Sequence, residues 1–90
     1  MSLSGDTNLH VAILSKIDTH LKQYPDAGIE GDQIIIEGYP SNEIIEYLFE
    51  QEKNGLITGN DTSNQRSGKL FFVRSITMQG YDYLKQYKKI

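Results

Sequence analysis

Apolar residues mark out the chain before any other feature does. Leu9, Ile13, Ile17 and Leu21 recur every four residues, with Ala12, Leu14 and Tyr24 beside them. A stripe with a period near 3.6 predicts an amphipathic helix over 7–23. Asp6 or Thr7 can cap its start, because a short side-chain oxygen accepts one of the orphan N–H groups. Pro25 stops it, since proline restricts the residue before it and donates no hydrogen bond. Residues 25–33, PDAGIEGDQ, read as a turn-rich link. The β-branched triplet Ile34, Ile35 and Ile36 then predicts a short strand, ended by Gly38, Tyr39 and Pro40.

A second helix is predicted from Ser41, read as its cap, to about Asn54. Glu43 lies in the first turn, and Ile44, Tyr47 and Leu48 form the inward stripe, widened by Ile45. Gly55 fits the left-handed position just beyond the helix end. Leu56 and Ile57 follow as a second strand. Residues 59–68, GNDTSNQRSG, carry no apolar side chain and read as an exposed hairpin tip. The returning strand starts at Leu70. Strict alternation puts Leu70, Phe72, Arg74 and Ile76 on one side and Phe71 and Val73 on the other. Thr77 can cap a last helix in which Met78, Tyr81, Leu84 and Tyr87 recur every three residues. The order predicts one α+β domain over 7–90, a helical core with a small antiparallel sheet, preceded by a loose arm, 1–6, whose MSL start reads as an expression remnant.

Composition narrows the chemistry. Ninety residues with 38% hydrophobic positions suffice for one small core. Cysteine is absent, which removes disulfides, thiol nucleophiles and thiolate metal sites. His10 and His20 are ten residues apart on one helix, close to ~15 Å, and cannot share a metal. Both read as surface or half-buried helix histidines. No cofactor and no small-molecule substrate is indicated, an enzyme is not expected, and Asp61-Thr62-Ser63 reads as turn chemistry. No apolar run approaches the ~20 residues of a membrane span. MSLSGDTN has neither a basic patch nor an apolar stretch, so it does not read as a signal peptide. These features point to a soluble cytoplasmic protein.

Charge divides the chain. Residues 1–52 hold ten acids and two lysines, a formal −8. Residues 53–90 hold seven basic residues and two acids, a formal +5, which together give the net −3. Such a chain can steer an anionic partner to one face.

The unit Ile44 to Ile57, with Asn54-Gly55-Leu56-Ile57 after its helix, resembles the third helix and second strand of a winged-helix domain. The polar hairpin resembles the wing. Ser75 to Leu84, SITMQGYDYL, is similar to the "strand, threonine, two residues, glycine, aromatic, leucine" ending of bacterial winged-helix proteins. With Ile34-Ile35-Ile36-Glu37-Gly38-Tyr39, the chain resembles a small family of winged-helix-like proteins from bacteria and their phages, over residues 9–86. What that resemblance implies is the fold, a winged-helix-like domain, without an activity.

Two departures shape the expectation of function. Residues 25–40 show no convincing second helix. The candidate recognition helix carries Glu43, Glu46, Glu50 and Glu52 against Lys53, which opposes phosphates, although Asn42 and Gln51 are base-reading residue types. DNA contact is therefore expected through the wing. Its candidate residues are Asn64, Gln65, Arg66, Lys69 and Arg74, supported by Lys85, Lys88 and Lys89 of the last helix. The alternative is a protein-binding or homodimerising module without nucleic acid, with Tyr81, Tyr83 and Tyr87 at the interface. Three tyrosines on one short helix exceed what a core this small can take.

Overall fold

The first helix, α1 (Thr7–Gln23), begins where Asp6 Oδ1 accepts from the Asn8 backbone N–H at 2.9 Å. It buries Leu9, Ile13, Leu14 and Ile17. The computed structural model describes residues 5–66 and 68–87. The elements that follow are strand β1 (Ile29–Glu30), a 3₁₀ turn (Gly31–Gln33), helix α2 (Ser41–Lys53), strands β2 (Ile57–Asp61) and β3 (Phe71–Ile76), and helix α3 (Met78–Tyr87). This is an α+β fold of three helices and a three-stranded antiparallel sheet in the order β1-β3-β2, a winged-helix-like architecture.

The apolar sides of all three helices meet the sheet in one cluster. Leu9, Ile13, Leu14 and Ile17 of α1, Ile44 and Leu48 of α2, and Leu84 of α3 close on Ile57, Phe71, Val73 and Ile76. The second helix ends as Gly55 predicts. Gly55 has φ +79, its N–H donates to Glu52, and the Leu56 N–H donates to the Gln51 carbonyl at 2.9 Å. These reverse bonds satisfy carbonyls that the helix leaves open and turn the chain straight into β2.

Several expectations change in detail. Ile34–Ile36 is not a strand. The strand of this region is Ile29–Glu30, inside the presumed link, paired with Val73 and Phe72. The triplet is divided by its surroundings instead: Ile34 is buried, Ile36 is half-buried, and Ile35 is 73% exposed. Ile36 and Tyr39 close a tight turn at Gly38, φ +91. The helix-turn-helix part is accordingly reduced to the 3₁₀ turn. Ser41 is the first helical residue and not the cap. Pro40, in extended geometry, accepts from Glu43 and Ile44 through its carbonyl, without a side-chain cap.

The hairpin also departs from simple alternation. Gly59, Asn60 and Asp61 lie within β2, paired with Val73, Phe72 and Phe71. Thr58 faces Ser75 while Gly59 faces Val73, so Arg74 is an extra residue in β3. One inserted residue reverses the parity of everything beyond it. Ile76 therefore joins Phe71 and Val73 in the core, where strict alternation had grouped it with Phe72 and Arg74.

Candidate interaction surfaces

The wing tip is held by its own polar side chains. Asp61 Oδ1 accepts from the Ser63 backbone N–H, and Asn64 Oδ1 accepts from that of Arg66, both at 2.9 Å. Asn64 and Gly68 exchange backbone hydrogen bonds of 3.0 and 2.8 Å, with Gly68 at φ +78. The bonds from Ser63, its hydroxyl first, hold the Asp61 carboxyl below its ordinary value, as expected of Asp-Thr-Ser turn chemistry. Asn64, Gln65 and Arg66 are exposed together at this tip.

Lys69, Arg74 and Lys85 do not gather there. Lys69 turns back onto α2, its Nζ 3.0 and 3.1 Å from the two carboxylate oxygens of Glu46 and 4.9 Å from the Phe49 ring centroid. Phe49 in turn meets Phe71 edge-on at 5.1 Å. Arg74, five residues along the chain, is exposed at the bulge. With the Asn60 amide oriented to satisfy both its ends, its oxygen accepts from Arg74 Nη2 at 2.9 Å. Arg74 lines an open cleft with Phe72, Pro25, Asp26 and Gly28. Lys85 is exposed on α3, a separate element. Lys88, Lys89 and the first four residues of the arm lie outside the described residues.

Helix α2 is occupied on several sides. Gln51 is wholly buried, not available to a base edge; its Nε2 lies 3.0 Å from His10 Nδ1. His10 is 1% exposed and not a surface histidine, packed on Tyr47 at 4.5 Å and edge-on to Tyr83 at 6.4 Å. A buried imidazole needs such a polar partner, and Gln51 supplies it from the facing helix. Tyr47 Oη accepts from the Asp6 backbone N–H at 2.8 Å, which lays the chain before α1 across α2. The charge of Asp6 raises the Tyr39 phenol above its ordinary value, and a 3.4 Å hydrogen bond joins the two. His20, by contrast, is half-buried as expected, with Nε2 2.7 Å from the Gly28 carbonyl oxygen. Exposed Glu46 and Glu52 and half-buried Glu43 and Glu50 complete α2.

Helix α3 presents a different surface. Thr77 Oγ1 accepts from the Gly80 N–H and donates to the Gly55 carbonyl at 2.6 Å, fixing the helix start to the end of α2. Gly80 and Leu84 point inward. Tyr83 is half-buried, with Tyr87 against it at 4.6 Å. Met78 is 83% exposed, Tyr81 42% and Tyr87 47%. Partial burial, then the neighbouring Asp18 carboxylate, raises the Tyr81 phenol above its ordinary value.

Among the described residues, no three His, Asp or Glu side chains come together as a metal site, and no helix is long and apolar enough to cross a membrane. Comparison with known proteins found no family model, no curated protein and no solved structure that matches the chain.

Proposed function

We propose that this winged-helix-like domain is an interaction module that self-associates through the outer face of α3. The observation that carries the reading is the exposure of Met78 and Tyr81 on that helix. At about 100° per residue, Met78, Asp82 and Lys85 fall on the side away from Gly80 and Leu84, with Tyr81 on the flank of that side next to Asp18 of α1. A large apolar methionine and a tyrosine are the residue types that interfaces favour. Asp82 and Lys85 are exposed and one turn apart with opposite charge. In a two-fold antiparallel pair of α3 helices, Asp82 of each copy meets Lys85 of the other, so the face complements itself.

Light scattering after size exclusion, over a micromolar concentration series, tests this. The expected result is a concentration-dependent dimer that Met78→Ser with Tyr81→Ser abolishes. Asp82→Lys and Lys85→Asp each weaken the dimer, and mixing the two variants restores it. A wild-type monomer throughout the series overturns the reading.

A second reading is DNA contact through the wing. It is supported by the exposed tip that places Arg66 beside Asn64 and Gln65, and by the positive charge of the second half of the chain. A duplex approaching α2 would meet Glu46 and Glu52, so phosphates are met at the hairpin, not by that helix. Random-sequence duplex at low salt, added in the same experiment, gives a shifted peak in this reading, and Arg66→Ala weakens it. No shift refutes it.

A further inference from the structure

The wing lysine already has an anionic occupant. Lys69 Nζ contacts both oxygens of Glu46 and lies over Phe49, whose ring is fixed against Phe71 at the base of the hairpin. Asp61 also lies within the field of Lys69. Resting on the wing reading above, we infer that Glu46 is an internal stand-in for a DNA phosphate, a latch that holds Lys69 on α2 until a backbone phosphate displaces the carboxylate.

Three features support the exchange. The carboxylate offers two oxygens to one ammonium, as a phosphate does. The Lys69 and Glu46 side chains are 53% and 59% exposed, so the pair is hydrated and a competing anion can reach the lysine from solvent. Exposed pairs of this kind are weak, which makes displacement cheap. The acid comes from α2, so the contact holds the wing lysine against that helix. Release frees Lys69 for a phosphate and leaves Glu46 hydrated beside it.

Binding of a short random-sequence DNA duplex, measured by fluorescence anisotropy across a salt series, tests the latch in the full chain. Glu46→Gln is expected to tighten binding roughly threefold, the scale of an exposed ion pair. It should also steepen the salt dependence by about 0.9, the value of one added phosphate contact. Lys69→Ala should change wild-type binding little, yet cancel the gain in the Glu46→Gln background. Glu52→Gln makes the same change in net charge on an exposed position of α2 without touching Lys69, and is expected to have a smaller effect. If wild type binds and Glu46→Gln binds equally, or if Glu52→Gln gives the same gain, there is no latch and the wing reading survives. If no variant binds at low salt, the latch and the wing reading fall together.

Discussion

Gly80→Ala should destabilise the protein, against the usual rule for helices. Gly80 lies in the first turn and a half of α3, where alanine ordinarily gains up to about 1 kcal/mol over glycine. Here a Cβ would fall on the Leu56 carbonyl oxygen, far inside contact, and 2.5 Å from Ile76 Cγ2. Restoring ordinary separation moves α3 outward by roughly 1 Å. That motion pulls on two bonds that pin the helix start, from the Thr77 N–H to Leu56 O at 3.0 Å and from Thr77 Oγ1 to Gly55 O at 2.6 Å. Overpacking of a buried site costs about 1–3 kcal/mol, and the weakened bonds add up to ~1 kcal/mol each. The net loss is about 2 kcal/mol, or roughly 10 °C in Tm for a domain of this size. Urea and thermal unfolding followed by circular dichroism measure it, with Gln79→Ala, one residue away and exposed, as the control. A Gly80→Ala midpoint at or above wild type would refute the close seating of α3 on Leu56 and Ile76.

Four further outcomes follow from the same fold. Leu48→Ala, at a site with 0% exposure, should cost about 3 kcal/mol in urea unfolding, near the mean for a buried leucine that leaves a cavity. Gly55→Ala should cost roughly 1 kcal/mol by the same assay, because alanine resists φ +79 and the reverse bonds to Gln51 and Glu52 require it. Asp61 should titrate below its ordinary 3.8 by carboxyl NMR, and Ser63→Ala should bring it back up. Since the folded pKa is the depressed one, the turn's extra stability is present above the ordinary value and lost as pH falls through the folded value. Tyr81 should ionise above 10.0 in an ultraviolet titration, and Asp18→Asn should lower its pKa without restoring the ordinary value, since burial is the larger cause.

Long, periodic segments were legible from residue order. The four-residue spacing of Leu9, Ile13 and Ile17 returned α1 with its ends at 7 and 23, and Gly55 marked where α2 stops because few other residues take a left-handed turn there. The hairpin was legible because ten polar residues separate two apolar runs. Strand β1 was not, since two residues carry no period, and its pairing with Phe72 and Val73 is decided over forty positions away. The bulge at Arg74 was hidden for a related reason: alternation assumes an unbroken ladder. Around the candidate surfaces, the exposure of Tyr81 and Tyr87 followed from counting tyrosines against a small core. The meeting of His10 with Gln51, and of Lys69 with Glu46, depends on how α2 lies against α1 and the wing. Neither spacing along the chain nor composition encodes that.

The middle strand of the sheet is β3, which comes last of the three in the chain. Both outer strands wait for it: until Phe71–Ile76 is available, neither Ile29–Glu30 nor Ile57–Asp61 has a neighbour. A nascent polypeptide leaving the ribosome can form α1 and α2 as fluctuating helices, but it has no sheet on which to lodge them. Residues 71–76 must therefore be made before this domain folds cooperatively, and a fragment ending before residue 71 would expose Ile57 and the inner sides of both helices to chaperones and proteases.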